Sequence, residues 1–195
     1  MNNDDIKKYI DKLKNLETQL SSESDDLSFI GELDSILNQL NNDIKDQLNI
    51  DNGSLKVRYK KLVDNSVEPS YAKSGDAGLD LTISSISENT SFDVTYKFGI
   101  SVEIPNGYVG LLFPRSSVRN FEIILSNCVG VIDSGYRGEL QATFKKTNGL
   151  DSLSYRVGER AAQLIILPYP RIKMVESEEL SSTERGDKGY GSSGL

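Results

Sequence analysis

Histidine is absent from the 195 residues of the sequence, and Cys128 is the only cysteine. This inventory excludes disulfide bonds within the chain and metal sites built from His and Cys ligands. Catalytic chemistry would therefore have to use carboxylates, hydroxyls, Lys and Arg, or a metal bound through oxygen. Cys128 stands among apolar neighbours, so we expect it to be an inert core residue and not a nucleophile.

Long hydrophobic runs are also absent. No apolar segment approaches the roughly 20 residues that would cross a bilayer. The N-terminal MNNDD carries acids where a signal peptide has a basic region followed by an apolar one. With 37% apolar and 26% charged residues, the composition is typical of a soluble globular protein. We therefore expect no signal peptide, no transmembrane segment and a cytoplasmic location, or the host cell interior if the protein is viral.

The formal net charge is -7, and it is unevenly distributed. Residues 1–52 hold 5 Lys or Arg against 12 Asp or Glu, whereas residues 53–195 hold 17 of each. All of the excess negative charge therefore lies in the N-terminal segment, and the remainder is free to concentrate basic groups at an anion site. No one-sided basic stripe is visible, so we expect no direct binding of nucleic acid.

The first 50 residues contain no proline and one glycine, and their apolar positions recur at helical spacing. The two apolar stripes consist of Ile6, Ile10, Leu13, Leu16 and Leu20, and of Leu27, Ile30, Leu33, Leu37, Leu40, Ile44 and Leu48. We predict that residues 1–52 form an acidic extension of two amphipathic helices, with an N-cap between Ser24 and Asp26. The spacing also suits a coiled-coil seam, so the helices could pack on their own subunit or trimer, or on a protein partner.

From Leu55 onward the pattern changes to short runs rich in β-branched and aromatic residues, separated by turn residues. Runs such as LDLTI, YVGLLF, GELQATF and SLSYRV predict many strands without intervening helices, which is typical of an all-β sandwich, jelly roll or barrel. Asn106-Gly107 is the clearest hairpin signal. We assign this β domain to residues 53–176. Residues 177–195 have too few apolar side chains to order alone, which predicts a flexible C-terminal arm.

Three segments carry residues suited to chemistry, and each also has a plainer interpretation. Asp133, in GVIDSGYRGEL, places a carboxylate between glycines at a strand end, which suits close approach of a ligand but is also typical of a turn. PRSS (114–117) combines a guanidinium, hydroxyls and amides that suit phosphate oxygens, or forms a surface turn. ERGDKGYGSSG (184–194) could close over a phosphate chain, or be a disordered terminus.

The order of five segments decides between these interpretations. The segments AGLDL (77–81), PRSS (114–117), NCVGVIDSGYRGEL (127–140), VGERAAQLI (157–165) and RGDKGYGSSG (185–194) resemble the five motifs of the trimeric deoxyuridine triphosphate pyrophosphatases, the dUTPases. The resemblance covers residues 55–195. It implies a distorted β jelly roll and a homotrimer in which all three subunits build each active site. The helical extension lies outside this family core.

The same resemblance implies hydrolysis of dUTP to dUMP and pyrophosphate, which keeps uracil out of DNA. Asp133 would activate a water for attack on the α-phosphorus, and Asp80 would bind, through water, a Mg²⁺ that the triphosphate chelates. The residues that would contact substrate are Asn127, Gly130, Val131 and Tyr136 at the nucleoside, Arg115, Ser116, Ser117 and Gln163 at the phosphates, and Arg185, Tyr190, Gly191, Ser192 and Ser193 in an arm that closes over the site.

The motifs depart from the family pattern at a few positions, among them Ser117, where glycine is usual, and Leu79, where many members have tyrosine. We expect Arg160 to form a structural or intersubunit ion pair. One alternative is a dCTP deaminase, or a bifunctional dCTP deaminase and dUTPase, but that family carries a catalytic glutamate in the strand after the third motif. Here the strand reads LQATF, with no acid. A further alternative is a regulatory interaction protein that acts through the helical extension.

Overall fold

The structure is a computed structural model that describes residues 8, 10–15, 27–47, 50, 51 and 54–188. In the N-terminal part, residues 10–15 are helical and helix α1 spans Leu27–Gln47. Neither described helical segment is long and apolar enough to cross a membrane. The prediction of a helical N-terminal part is confirmed.

The two helical segments contact each other. The Lys12 ammonium donates a hydrogen bond to the side-chain oxygen of Gln39 at 3.5 Å. On α1, Ile36 is buried, and Leu33 and Leu40 pack against it. Of the predicted apolar stripe, Leu33 and Leu40 are thus partly covered, whereas Leu37 and Ile44 are exposed, and the buried Ile36 was not among the predicted positions. The N-cap predicted between Ser24 and Asp26 lies outside the described residues.

Short strands account for most of the regular structure in the described chain. They are Ile50–Asp51 (β1), Ser54–Leu55 (β2), Arg58–Lys61 (β3), Leu79–Thr82 (β4), Ser85–Asn89 (β5), Asp93–Lys97 (β6), Ile100–Glu103 (β7), Tyr108–Pro114 (β8), Ile123–Leu125 (β9), Gly130–Ile132 (β10), Gln141–Lys146 (β11) and Arg160–Pro168 (β12). Two 3₁₀ helices, Ser116–Asn120 and Gly149–Asp151, lie in the connections.

Two four-stranded antiparallel sheets form the body of the protein, with the strand orders β10-β8-β12-β4 and β5-β6-β11-β9. Strands β3 and β7 form a separate pair, as do β1 and β2. Both large sheets contribute to one apolar core, which contains Leu81 and Leu164 from the first sheet and Tyr96 and Phe144 from the second. Burial of each such side chain contributes about 1.5–3 kcal/mol. The predicted all-β, jelly-roll-like fold is confirmed.

The prediction that SLSYRV (152–157) is a strand was wrong. Residues 152–156 have no regular structure, although Tyr155 is buried in the core. The backbone N–H of Leu153 donates to a side-chain oxygen of Glu122 at 3.0 Å, and the Leu153 carbonyl accepts from Glu122 N at 3.0 Å. The alternating apolar pattern buries one aromatic ring here without pairing the backbone to a second strand.

The hairpin prediction at Asn106-Gly107 was also wrong. A turn does form, because Gly107 has a φ of 86° and Tyr108 N bonds Pro105 O at 3.2 Å. However, the flanking strands join different sheets: β7 pairs with β3, whereas β8 pairs with β10 and β12. The turn chemistry sets the local backbone, but packing decides which strands pair.

Candidate functional site

The carboxylate of Asp80 is the centre of a polar cluster on the first sheet. Asp80 is 8% exposed and lies on β4 directly opposite Gln163 of β12. Its Oδ1 pairs with Arg115 Nε at 2.6 Å, and its Oδ2 pairs with Arg160 Nη1 at 2.8 Å. Arg115 follows the last residue of β8, so three neighbouring strands bring these groups together. The ion pair expected for Arg160 is thus made within the chain.

These groups line a cavity of about 260 Å³, to which Gly78, Asp80, Arg115, Ser116 and Gln163 contribute. We call it the Asp80 cavity. Because Nε of Arg115 bonds Asp80, both Nη groups remain to donate to another acceptor. Gly78 leaves room for the glutamine, since a Cβ there would lie 2.5 Å from Gln163 Oε1. The amide of Gln163 donates to Pro114 O at 3.2 Å, which fixes its orientation.

Ser117 is the one predicted phosphate-binding residue of the PRSS segment whose side chain does not line this cavity. Its hydroxyl lies 2.8 Å from the hydroxyl of Tyr155. Ser116, by contrast, is exposed and faces the cavity. The two adjacent serines therefore have different environments.

Asp133 lies at the end of β10, in a turn closed by a hydrogen bond from Tyr136 N to Asp133 O at 3.0 Å. Within the described chain its exposed carboxylate has no hydrogen bond or ion pair. A cavity of about 140 Å³ lies beside it, lined in part by Val131, Asp133, Tyr136 and Glu139. We call residues 127–140 the Asp133 hairpin after the turns at Cys128 and at Asp133–Tyr136, although no two strands pair with each other within it. Its carboxylate is available to accept a proton or a hydrogen bond from a ligand.

Contacts within the hairpin fix the ring of Tyr136. Its hydroxyl donates to the backbone carbonyl of Glu139 at 3.1 Å. Gly138 lies against the ring, and a Cβ there would lie 2.5 Å from Tyr136 Cζ. The Glu139 carboxylate in turn accepts from Gly99 N at 3.1 Å and pairs with Lys97 at 2.8 Å. The glycine therefore has a steric role, and Glu139 ties the hairpin to the loop between β6 and β7.

The start of the hairpin brings Asn127 and Gly130 together. A Cβ on Gly130 would lie 3.1 Å from Leu112 Cβ and 3.8 Å from Asn127 Nδ2, so the glycine allows close packing against β8. The backbone reverses at Cys128, which has a φ of 59°. Cys128 is exposed, so the expectation of a core cysteine was wrong. Apolar sequence neighbours did not predict burial here, because this residue forms the turn.

Strand geometry separates the Asp133 hairpin from the Asp80 cavity. Three strand spacings, from β10 to β4, amount to about 14 Å. Along the strands, Ile132 is level with Gly110 and Ile166, whereas Asp80 is level with Gln163. Asp133 is thus displaced from Asp80 by four residues along the strand direction, or about 13 Å. Together with the displacement across the sheet, this puts the backbones of the two aspartates roughly 20 Å apart. The two cavities share no lining residue in the described chain.

The predicted C-terminal residues are described only in part. Arg185 lies in an exposed turn in which Gly186 N bonds Thr183 O at 3.1 Å. Tyr190, Gly191, Ser192 and Ser193 lie outside the described residues. Their proposed contacts stay predictions.

The donor set fits a metal that the protein does not chelate alone. Within the described residues, no group of three or more His, Cys, Asp or Glu side chains could hold a metal ion. Asp80 supplies one carboxylate, and each of its oxygens accepts one bond from an arginine. Each oxygen keeps a second lone pair, which can accept a hydrogen bond from a metal-bound water. This arrangement fits Mg²⁺, which retains several waters and binds mainly through substrate phosphates.

Two residues that support the candidate site were not predicted from the sequence. Glu139 supports the hairpin that carries Asp133, and Tyr155 contacts the PRSS segment. The position of Glu139 inside the third segment was a usable signal. Tyr155 lies 38 residues after Ser117, and nothing local in the sequence links the two.

The fold is an all-β jelly roll with two separate polar cavities, one at Asp80 and one at Asp133. A family model described as dUTPase matches residues 64–194. The chain belongs to the dUTPase family.

Individual relatives agree with the family match. The chain is 35% identical over 144 residues to the deoxyuridine 5′-triphosphate nucleotidohydrolase of Hydrogenobaculum sp. (strain Y04AAS1). The aligned region covers 72% of this chain and 99% of that protein. It is 36% identical over 143 residues to the enzyme of the same name from Crocosphaera subtropica, which covers 72% and 100%. A solved structure of the Staphylococcus bacteriophage 80alpha dUTPase with dUPNHPP is similar at 30% identity and a TM-score of 0.64, over 73% of this chain and 100% of that one.

Proposed function

We propose that this chain hydrolyses dUTP to dUMP and pyrophosphate inside the cell, with Asp133 as the catalytic base. One observation carries the proposal. Residues of the first, second and fourth family motifs line the Asp80 cavity, and the third motif forms a hairpin with an unpaired carboxylate. This is the division that an anion site and a water-activating group require.

At the reacting centre, Asp133 would orient a water toward the α-phosphorus and accept its proton. The water oxygen forms a bond to the α-phosphorus as the bond to the oxygen bridging the β-phosphorus breaks, and pyrophosphate leaves with that electron pair. An aspartate carboxylate is a weak base at neutral pH, so correct position and stabilisation of the phosphate charge must lower much of the barrier.

Substrate selection would rest on the hairpin. The ring of Tyr136, held by Glu139 O and Gly138, would pack against the deoxyribose and leave no space for a 2′-hydroxyl. The backbone at Gly130 and Val131, together with Asn127, would bond the uracil edge. Backbone groups near glycine can approach a planar base closely.

The phosphates would bind at the Asp80 cavity. Arg115, Ser116 and Gln163 offer donors there, with Ser117 next to them. Bound with the triphosphate, Mg²⁺ would neutralise charge on the phosphate oxygens. Asp80 would bind its water ligands. The C-terminal arm, residues 177–195, would bring Arg185, Ser192 and Ser193 to the γ-phosphate and stack Tyr190 on the base, with Gly191 between them.

We propose a homotrimer as the active form, because one chain cannot surround one triphosphate with both half-sites. The separation of roughly 20 Å between Asp80 and Asp133 requires the two residues of one site to come from different copies. We also propose a division into an extension (1–52), a β domain (53–176) and an arm (177–195), with only the last two parts contributing to the site.

Release of dUMP and pyrophosphate from dUTP by the purified full-length chain tests the proposed reaction directly. We expect both products in the presence of Mg²⁺, and little turnover of dCTP, dTTP or UTP under the same conditions. Intact dUTP would refute the function. Release of ammonia from dCTP would identify a deaminase instead, a result not expected because β11, Gln141–Lys146, contains no acid.

Co-expression of two impaired variants tests the shared site. In a mixed trimer, a site is intact when an Asp133→Asn chain supplies its Asp80 and an Asp80→Asn chain supplies its Asp133. With random assembly in equal amounts, roughly one quarter of the sites are intact, so about that share of wild-type turnover should return. Each variant assembled alone is the control. No recovery in mixed trimers would place both residues of a site on one chain.

The helical extension has a separate proposed role in contacting another protein. Leu37 and Ile44 are seven residues apart on α1 and exposed, whereas Ile36 is buried. A second apolar face is thus open in the described part of the extension. Trimer mass and co-purifying proteins, compared between the full chain and a chain without residues 1–52, test this role. An unchanged trimer with loss of a specific partner is the expected result.

A further inference from the structure

The second serine of the PRSS segment is tied to the protein core. Ser117 is half-buried and belongs to the 3₁₀ helix Ser116–Asn120, which follows Arg115. Its Oγ lies 2.8 Å from the hydroxyl oxygen of Tyr155, and either group can be the donor. Neither Ser117 nor Tyr155 lines the cavity to which Ser116 contributes.

Tyr155 is a rigid attachment point for this bond. The residue is 4% exposed and packs on Phe121, with the ring centroids 4.1 Å apart. It also makes edge contacts with Tyr96 and Phe144, at centroid distances of 6.1 and 6.5 Å. Burial raises the pKa of Tyr155, and the Ser117 hydroxyl and the Arg115 charge lower it in part. The phenol therefore stays protonated at neutral pH and keeps its hydrogen-bonding capacity.

Tyr155 contacts both ends of the same short segment. Phe121, which ends the 3₁₀ helix, is held by Tyr155 through ring contact, and Ser117 near its start is held by the tyrosine hydroxyl. On the other side, Arg115 is held by Asp80 and by a bond from its N–H to Ala161 O at 3.3 Å. The segment that presents Arg115 and Ser116 is thus restrained from the core and from β12.

We infer that Ser117 is a positioning residue, which acts through Tyr155 to hold Arg115 and Ser116 in the geometry that binds a triphosphate. It is not a phosphate ligand through its side chain. Tyr155, a buried residue outside the five motif segments, becomes part of the support of the phosphate site. The inference rests on the proposed function, and it reassigns one of the residues expected to contact substrate.

Loss of the bond should weaken substrate binding more than the chemical step. A net contribution of one hydrogen bond corresponds to roughly a three- to tenfold change in an equilibrium constant. We therefore expect Ser117→Ala and Tyr155→Phe each to raise KM for dUTP by roughly three- to tenfold, with kcat within about twofold, since the restrained groups contact phosphates throughout the reaction. The Kd of the non-hydrolysable analogue dUpNHpp should rise in parallel.

A double-mutant cycle on the full-length chain separates this role from a direct contact. The double variant should be no worse than the weaker-binding single variant, because both changes remove the same bond. Ser117→Thr retains a hydroxyl and should restore KM. Tyr108→Phe is the control: it removes a hydroxyl from another tyrosine that packs against the same core, and Tyr108 lines neither the Asp80 cavity nor the cavity beside Asp133. It should leave KM unchanged.

Three outcomes would overturn the inference. A raised KM in Ser117→Ala with a normal KM in Tyr155→Phe would make Ser117 a direct ligand. Additive effects of the two substitutions would make them independent. A lowered unfolding midpoint with unchanged KM and Kd would leave only a structural role.

Failure of the proposed function is distinguishable from failure of this inference. The unfolding midpoint is measured without nucleotide, and the same non-additive loss should appear there, with each single variant about 2–4 °C lower. If the wild-type chain does not turn over dUTP, the proposed function is refuted, and the positioning role with it. The unfolding data would still report whether the Ser117–Tyr155 bond forms.

Discussion

Asp133 and Asp80 belong to the same proposed site and have opposite surroundings. Asp133 is exposed on a turn, with no partner for its carboxylate in the described chain. Asp80 is 8% exposed and holds two arginines on its two oxygens. A group that accepts a proton needs an accessible lone pair, whereas a group that orients others needs a fixed position. The difference separates a reacting carboxylate from a supporting one, although both are aspartates next to glycine-containing segments.

Replacement of Asp133 by asparagine should give the largest effect. Asparagine is isosteric but cannot take the proton from water, and loss of a general base typically costs about 10²–10⁴-fold in rate. We expect kcat to fall in this range, with the Kd of dUpNHpp changed by less than about threefold. Asp151→Asn, at the exposed end of the 3₁₀ helix Gly149–Asp151, is the control and should retain wild-type turnover. A normal kcat in Asp133→Asn would remove the contrast between the two aspartates.

Removal of divalent metal should come next. Chelation by EDTA leaves the phosphate charge without a counter-ion that is worth several kcal/mol in the transition state, so turnover should fall by about 10²-fold or more. Addition of Mg²⁺ should restore it fully. A chelator-resistant rate would contradict the outer-sphere role proposed for Asp80, and isothermal titration of the analogue with and without Mg²⁺ measures the binding part separately.

Replacement of Asp80 by asparagine tests the supporting half of the comparison. It removes the charge that holds Arg115 and Arg160, and we expect a loss of stability of about 1–3 kcal/mol, reduced from the value for a fully buried pair because Arg160 is half exposed. Unlike Asp133→Asn, this variant should lose stability as well as activity, with kcat/KM lower by roughly 10- to 100-fold. Asp93→Asn, which removes an ion pair with Lys145 in the other sheet, should spare activity. An Asp80→Asn chain of wild-type stability would show that the arginine pairs contribute little.

The contrast between these aspartates was only partly visible in the sequence. The motif order indicated both residues, and the alternating runs predicted the β fold. The contacts that give each carboxylate its role join distant segments, as Arg160 and Asp80 do across 80 positions. Local pattern also failed where tertiary packing overrides it, as at Asn106-Gly107 and at SLSYRV. The exposed Cys128 shows the same limit, because an apolar run can continue through a tight turn.

Substitution of Gly138 by alanine should have a smaller and more selective effect. The new methyl group would meet the ring of Tyr136, whose Cζ lies 2.5 Å from the Cβ position, so the ring must move. We expect discrimination between dUTP and UTP, measured as the ratio of kcat/KM values, to fall several-fold while the rate with dUTP changes less. Gly135→Ala in the same hairpin, where a Cβ meets nothing within 4 Å, is the matched control. An unchanged ratio would show that the position of the Tyr136 ring does not determine the selection between deoxyribose and ribose.

Removal of residues 1–48 should have the smallest effect. This segment precedes the β1–β2 pair and contributes no residue to either cavity in the described chain. We expect kcat and KM to stay within about twofold of the full chain, a change within the range of surface alterations. A large loss of turnover would show that the extension contributes to the active site, in addition to the regions around Asp80 and Asp133.

Strand β12 links residues that, in the proposed homotrimer, belong to different active sites. Arg160 and Gln163 lie near its beginning, and Ile166, near its end, is level with Ile132 of β10, the residue before Asp133. The number of residues between these points therefore sets the spacing of the centres in an oligomer. Surface loops of such a protein can gain or lose residues with little consequence. A single insertion in β12 before Gln163 would turn Gln163 to the opposite face of the sheet, so the length of this strand is constrained.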